Sequence, residues 1–226
     1  MDPHDRRKLA HLVGGLALAS ALVTAGRVFA DSPTPMPAMP MQLPHGQKDI
    51  GVAPSGNYTL DPNHVGVIAR VSHLGFSYSV FRFGHAEGTL QWNHEAPERS
   101  KLVATVETAS IETNVPKFAE QLAGDQYLKS SKYPVATFVS TAFHQADSTH
   151  GRVDGRFTLM GKTRPVTFDV SLVGAGPGFA GGPVMGHVIG VHAETSISPQ
   201  DFGLPAIFNE PIGLAIDTEF DLKPKA

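Results

Sequence analysis

The sequence contains no cysteine and carries little charge, and each of these absences excludes a class of protein. Without cysteine there is no disulfide framework, no thiol nucleophile and no thiolate metal site, so the fold must be held by packing alone. Charged residues make up only 17% of the 226 residues, with 18 Lys and Arg against 21 Asp and Glu. Because positive charge is not in excess, the composition argues against a nucleic-acid partner.

The N-terminus is typical of an export signal. Arg6, Arg7 and Lys8 precede the apolar run 12–25, and small residues follow at the spacing of a cleavage site near Ala30. The run is shorter than about 18 residues, which disfavours a retained membrane anchor. We therefore predict a cleavable signal over residues 1–30 and a periplasmic location. The Arg pair leaves open whether export is general secretory or twin-arginine.

Residues 31–56 are rich in proline, glycine and methionine and show no apolar periodicity. Such a segment buries too little apolar surface to offset the entropy of ordering, so we predict a disordered leader. Its Met36, Met39 and Met41, with His45 nearby, are of the soft ligand type that binds Cu(I). Copper handling by this leader is therefore one alternative function.

From Tyr58 onward the dominant period of the sequence is two. Val65, Val67, Ala69 and Val71 alternate with other residues, as expected of a strand with one packed face. Similar runs follow at 77–84, 88–92, 102–111, 135–143, 151–160, 166–173, 187–197 and 212–222, and turn residues separate most of them. The pattern predicts one all-β domain over residues 57–226, an antiparallel barrel of about eight strands.

Two segments depart from this period. Asn114, Pro116 and Gly124 bracket a run with helical spacing, which predicts a short helix between residues 114 and 128 that lies across a barrel end or against its wall. The stretch 174–186 contains six glycines and lacks the context of a phosphate-binding loop, so we interpret it as a mobile hairpin connection.

No constellation of catalytic residues is present in the sequence, and we predict neither catalytic residues nor a cofactor. The eleven histidines raise the question of a metal site. His64 and His73 are separated by an odd number of residues, which places them on opposite faces of a regular strand. Direct co-ligation is therefore disfavoured, and we predict no metal site.

Several motifs of the sequence stand in the same order as in a known family. They are YTLDPNHVGVIARVSHLG at 58–75, SIETN at 110–114, YPVATFVST at 133–141, GRFTLMGKTRPVTFDVSL at 155–172 and DFG at 201–203. Together they resemble the YceI-like polyisoprenoid-binding family over residues 58–226. The resemblance implies an extended, up-and-down, lipocalin-like barrel whose hydrophobic pore holds a polyprenyl tail or an isoprenoid quinone.

The resemblance and the residues together lead to a functional hypothesis. We expect the chain to bind, transport or store a long isoprenoid lipid such as a polyprenol, a polyprenyl phosphate or an isoprenoid quinone. Small residues such as Ala69, Ala104, Ala136 and Gly190 leave room for a linear chain. The residues that we expect to line the pore are Val67, Val71, His73, Phe83, Phe138, Phe157, Phe168 and Phe202.

Other functions and partners stay open at this stage. A hydrolase or isomerase acting on a bound lipid would use His64 or His73 as general base. Transient contact with a membrane surface or a membrane redox partner is possible for a lipid carrier, as is a homodimer.

Overall fold

Ten strands of one antiparallel sheet make up most of the structure. The computed structural model describes residues 43–224. The strands are β1 (Gly56–His73), β2 (Ser77–Phe83), β3 (Ala86–Trp92), β4 (Lys101–Glu107), β5 (Ile111–Glu112), β6 (Val135–Gln145), β7 (His150–Leu159), β8 (Lys162–Phe179), β9 (Met185–Ile197) and β10 (Ile212–Leu222).

The sheet closes on itself as an eight-stranded barrel. Neighbours follow the order β10-β9-β8-β7-β6-β4-β3-β1-β2-β5, and β10 also pairs with β1. Strands β2 and β3 both pair with β1 and share one position in the wall, while β4 and β5 share the next. The predicted all-β, antiparallel barrel is therefore confirmed. Closure leaves the barrel without a long unpaired edge.

The closing seam between β1 and β10 contains a bulge. Leu60 pairs with Phe220 and Val65 with Thr218, so the four residues between Leu60 and Val65 fall outside the regular register. Beyond the bulge, Val65, Val67, Ala69 and Val71 face the barrel interior. The period of two in this part of the sequence thus corresponds to one inward face.

Two short α-helices lie at one end of the barrel, α1 (Phe118–Ala123) and α2 (Pro199–Phe202). Helix α1 is much shorter than the predicted segment 114–128. It begins only after Lys117, whose φ of 62° is left-handed, and a helix cannot run through such a residue. None of the helices within residues 43–224 is long and apolar enough to cross a bilayer.

The glycine-rich stretch is strand rather than mobile connection over most of its length. Strand β8 continues to Phe179 and β9 begins at Met185. Only residues 180–184 connect them, and the glycines within the strands pair in regular register with β9. The connection between β8 and β9 is therefore shorter than the mobile hairpin connection predicted over residues 174–186.

Residues 43–56 are not a disordered leader in this structure. Gln47 forms a β-bridge with Ala175, and a Cβ on Gly174 would come within 3.1 Å of Gly46 Cα, so the two backbones approach where neither carries a side chain. Ile50 N–H donates to the Ser148 carbonyl. These long-range contacts order the segment, and local composition does not reveal them. Residues 1–42, with the predicted signal and the methionines, lie outside the described residues.

Candidate ligand-binding cavity

The inward side chains of the strands do not fill the barrel. They surround a cavity of about 270 Å³, many times the space that one water molecule needs. Each of the ten strands contributes at least one residue to the wall, and the contribution of the short β5 is Ile111. The interior is therefore a hollow tube and not a packed core.

The wall of the cavity is almost entirely apolar. Among residues 43–224 no acidic, basic or histidine side chain lines it; its polar members are the hydroxyl-bearing Thr105, Thr108, Tyr127 and Thr218. The Thr108 hydroxyl donates within the protein, to the carbonyls of Tyr133 (2.8 Å) and Pro134 (3.1 Å). Because water in a cavity needs two to four polar partners, this wall offers it little.

Residues 50–55, which we call the floor, pack against the wall at one end of the cavity. Ala53 is buried and packs in one cluster with Tyr58 and Leu60 near the start of β1. The Trp92 indole N–H donates to the Ala53 carbonyl at 3.2 Å, and the Tyr58 hydroxyl donates to the Pro54 carbonyl at 2.8 Å. Burial raises the pKa of Tyr58 to about 12. The phenol therefore stays neutral and keeps its bond to the floor.

The other end is covered by α1 with residues 124–133 and by residues 198–211, which we call the lid. Leu122, Tyr127, Leu128, Leu204 and Phe208 of the lid line the cavity. The lid packs in one cluster with Ala69 near the end of β1, whereas the floor packs near its beginning. Floor and lid therefore lie at opposite ends of the tube.

Six of the eight residues expected to line the pore do line the cavity. They are Val67, Val71, Phe83, Phe138, Phe157 and Phe168. The rings of Phe138 and Phe168 meet edge to face with centroids 5.1 Å apart, which narrows the tube on that side. Contact of these residues with a ligand stays a prediction.

The other two residues lie elsewhere. His73 is exposed at the last position of β1, where the strand has passed the rim and no longer borders the interior. Phe202 is 1% exposed and packs edge to face on Phe157, with centroids 5.4 Å apart. Phe202 lies on α2 behind Phe157, whose ring faces the cavity, and it therefore supports the wall without bordering the cavity.

Of the four small residues that we expected to leave room in the pore, three line the cavity and one does not. Ala69, Ala104 and Ala136 line the cavity as expected. Gly190 does not, because it lies between the inward-facing Ile189 and Val191 and so belongs to the outer face of β9. The glycine that does widen the interior is Gly155, where a Cβ would come within 2.3 Å of Phe138 Cζ.

Sequence reasoning missed the lid residues of the cavity. Tyr127, Leu204 and Phe208 come from irregular segments, and no period identifies which of their side chains turns inward. Leu60, Leu90, Leu102, Leu214 and Phe220 also line the cavity. The period of two in their strands predicts that these side chains face inward.

Neither candidate base faces the cavity. His64 is absent from its wall and lies in the bulge, where its ring Nδ1 donates to Asp61 Oδ2 at 2.7 Å. This hydrogen bond, with the charges of Glu219, Asp61 and Asp221, raises the pKa of His64 despite some desolvation. The copper hypothesis concerns Met36, Met39 and Met41, which lie outside the described residues.

Comparisons with known proteins agree with this architecture. A UPF0312 protein of Pseudomonas putida is 33% identical over 173 residues, 75% of this chain and 88% of that protein. Among solved structures, BcnA of Burkholderia cenocepacia superposes with a TM-score of 0.61 at 19% identity, covering 71% of this chain and 98% of that one. A polyisoprenoid binding domain from Saccharophagus degradans superposes with a TM-score of 0.52 at 14% identity, covering 74% and 98%.

A family model described as the YceI-like domain matches residues 58–225, which is most of the chain. The match begins within β1 and includes every later strand. The chain belongs to the YceI-like family.

Proposed function

We propose that the protein binds a long isoprenoid lipid in its cavity and carries or stores it in the periplasm without catalysis. The observation that carries the proposal is the cavity wall, on which the described residues place no acidic, basic or histidine side chain. A cavity with such a wall binds apolar chains, and its affinity rises with the length of chain that it encloses. Each CH₂ group that leaves water for such a wall contributes about 0.8 kcal/mol.

The name of one structural neighbour supports an isoprenoid as the ligand class. The domain from Saccharophagus degradans is named as a polyisoprenoid binding domain, and this chain shares its fold. Polyprenols, polyprenyl phosphates and isoprenoid quinones all carry the branched apolar chain that the cavity would accept. Burying an ionised phosphate inside this wall would cost free energy because no basic side chain of residues 43–224 lines it, so a charged head group would remain outside the cavity.

The alternative of a lipid hydrolase or isomerase receives no support from its two candidate bases. His64 lies on the outer surface with 62% of its side chain exposed, and His73 is exposed at the rim. A general base has to reach the proton that it abstracts within about 3 Å or through one water. Neither histidine is placed to do so for a chain held within the cavity.

A carrier of this kind must exchange lipid with a membrane, and the β1–β2 hairpin is suited to that contact. Its tip carries Leu74 and Phe76, which are 73% and 87% exposed. Leu74 also has a φ of 54°, a strained conformation for leucine in a turn that favours Asn or Gly. Exposed apolar side chains and a strained backbone do not stabilise the fold, so the tip is suited to a role other than folding.

The side chains just behind the tip are of the kind found at membrane interfaces. Arg70 holds its guanidinium carbon 4.8 Å above the Tyr78 ring, and aromatic and basic side chains both favour the head-group region. The hairpin leaves the barrel at the lid end, since Ala69 and Val71 pack with the lid. We therefore propose that the lid end meets the bilayer. A homodimer through the same tip is the competing outcome.

The experiment is identification of the bound lipid together with a steric block. The purified chain is analysed by native mass spectrometry and organic extraction, and then titrated with a fluorescent prenyl probe. Ala104→Phe places a ring inside the cavity, because Ala104 lines it. The matched control is Val103→Phe. Val103 is adjacent to Ala104 on the same strand, but its side chain is 42% exposed.

We expect a prenyl-lipid adduct on the wild-type chain and on the Val103→Phe variant, and loss of both adduct and probe binding on Ala104→Phe with an unchanged circular dichroism spectrum. A wild-type chain that refuses the probe, or equal binding by both variants, would contradict the proposal.

A further inference from the structure

The bulge in the closing seam gathers acidic side chains on the outer surface of the barrel, away from the cavity. One oxygen of Asp61, one ring nitrogen of His64 and one oxygen of Glu219 all lie within 4.8 Å of one another. The bulge brings them together because its extra residues lie opposite Glu219 on β10. None of the three lines the cavity.

Asp61 is held in place as a buried carboxylate. Its side chain is 3% exposed, and its Oδ1 accepts a hydrogen bond from the backbone N–H of Asn63 at 2.9 Å. Burial opposes ionisation, but the hydrogen bonds from Asn63 and His64 and the charge of His64 outweigh it and lower the pKa of Asp61. The carboxylate is therefore both fixed and ionised at neutral pH.

Another carboxyl group, that of Asp221, is near enough for the charges of the cluster to act on it, and one of its oxygens has no hydrogen-bond partner among the described residues. Asp221 is 5% exposed, and among residues 43–224 its Oδ1 accepts no hydrogen bond. The charges of Asp61, Glu219 and His64 all act on it. Lys223 also acts on it, but no ion pair within 4.0 Å joins the two among the described residues. A buried carboxyl oxygen without a partner is costly and calls for an explanation.

We propose that Asp61, His64 and Glu219 bind a divalent transition metal ion such as Zn²⁺, with Asp221 as a further oxygen ligand or as acceptor for a metal-bound water. Carboxylate oxygen and imidazole nitrogen are typical ligands of Zn²⁺, at about 2.0–2.2 Å. An imidazole ligand favours such an ion over Ca²⁺ or Mg²⁺, which take oxygen ligands.

The exposed ligands have the freedom to adopt that geometry. His64 and Glu219 keep 62% and 41% of their side chains exposed, so both adjust without disturbing the core. The His64 ring lies between the carboxylates, with Nδ1 at 2.7 Å from Asp61 and 3.7 Å from Glu219. An ion bound there joins β1 to β10 across the seam that closes the barrel.

The test uses the full-length chain, freed of any affinity tag and stripped with chelator, in titration calorimetry with ZnCl₂. Glu219→Gln and His64→Gln each remove one ligand, whereas Asp61 is left intact because it organises the bulge. The matched controls are Glu98→Gln, at an exposed position in the turn at Pro97–Arg99, and His85→Gln, which breaks a His–Glu pair of 2.9 Å that has no further carboxylate in ligand range.

We expect one Zn²⁺ per wild-type chain and per control chain, a melting temperature that rises with ZnCl₂, and weaker binding of CaCl₂. Each ligand variant should lose affinity by more than roughly tenfold, the smallest loss that even outer-shell changes produce, while its metal-free melting curve shows that it is folded. Absence of Zn²⁺ binding by the wild-type chain would overturn the proposal. Undiminished binding by both ligand variants would do the same, since it would assign the ion to another site.

Discussion

Tyr127 and Phe208 come from opposite halves of the lid, and their rings meet edge to face over the cavity with centroids 5.9 Å apart. The Gln200 side-chain amide donates to the Phe208 carbonyl, which ties Phe208 to α2 within the second half of the lid. The contact between Tyr127 and Phe208 and the packing of Leu204 with Leu122 and Leu128 join the two irregular segments. The pair is therefore placed to control passage between the cavity and the lid end.

Phe208→Ala should accelerate release of a bound lipid. An edge-to-face aromatic pair contributes about 0.5–1.5 kcal/mol, so its loss should speed release by roughly 2- to 12-fold if the pair opens on exit. Stopped-flow transfer of a fluorescent prenyl probe to acceptor vesicles measures the rate. Phe179→Ala is the control, because Phe179 is 48% exposed and does not line the cavity. Equal acceleration in both variants would rule out a gating role for the pair.

Gly155 leaves room for the Phe138 ring to pack in the wall, and Gly155→Ala should be destabilising. A Cβ there would lie 2.3 Å from Phe138 Cζ and 2.7 Å from the Val139 carbonyl oxygen. We expect a loss of about 1–3 kcal/mol in the free energy of unfolding, as for other overpacked interiors. Denaturant unfolding measures it.

The double variant Gly155→Ala with Phe138→Leu tests the cause of that loss. If the ring is the obstacle, the smaller side chain should recover part of the stability, so the two changes should be non-additive. Strictly additive losses would mean that the carbonyl of Val139, and not the ring of Phe138, is what the new methyl group meets.

The wall of the cavity could largely be predicted from the sequence, whereas its ends could not. Val67 and Val71 face inward because a strand alternates its side chains, a property that the sequence pattern carries directly. His73 follows the same alternation but lies beyond the rim, and a pattern does not indicate where a barrel ends. Phe202 shows the related difficulty that a buried ring in the lid supports the wall without bordering the cavity.

The floor and lid depend on contacts between residues distant in sequence. Ala53 is ordered by Trp92 and by neighbours on β8 and β9, although its own segment has the composition of a disordered leader. Lys117 shortens α1 through a left-handed backbone conformation that its residue type does not favour. In both cases tertiary packing overrides the local preference.

Asp221→Asn should stabilise the metal-free protein at neutral pH. Desolvation first, and then the charges of Asp61 and Glu219, raise the pKa of Asp221 to about 6 from 3.8. Because the folded state holds the proton more tightly than the unfolded state, stability falls as pH rises from about 4 to 6. The substitution removes that penalty, and we expect a gain of roughly 1–3 kcal/mol at pH 7.5.

Thermal melts in chelator across pH 4 to 8 check this prediction. The difference between Asp221→Asn and wild type should shrink towards zero as the pH falls through 4. Asp217→Asn is the control on the same strand, and it should gain nothing at pH 7.5 because Asp217 accepts a 2.7 Å hydrogen bond from His192. A stabilisation of Asp221→Asn that is independent of pH would refute the assignment to its ionisation.

At the hairpin tip, one substitution should change stability and membrane binding in opposite directions. Leu74→Asn replaces a strained leucine with a residue that tolerates positive φ, so it should raise the free energy of unfolding by about 1 kcal/mol. Because it also removes an apolar side chain that is 73% exposed, it should weaken binding to vesicles of phosphatidylethanolamine and phosphatidylglycerol.

Phe76→Ser should weaken vesicle binding by roughly tenfold or more, since burying a Phe side chain contributes about 1.5–3 kcal/mol. Phe179→Ser removes a ring that is 48% exposed at the end of β8 near the floor, and it should leave vesicle binding unchanged. Co-sedimentation measures the affinity, and analytical ultracentrifugation the oligomeric state. If Phe76→Ser dissolves a dimer and leaves vesicle binding intact, the tip is a contact between two copies of this chain and not with lipid. If Phe179→Ser weakens binding as much as Phe76→Ser does, the lid end has no special role in meeting the bilayer.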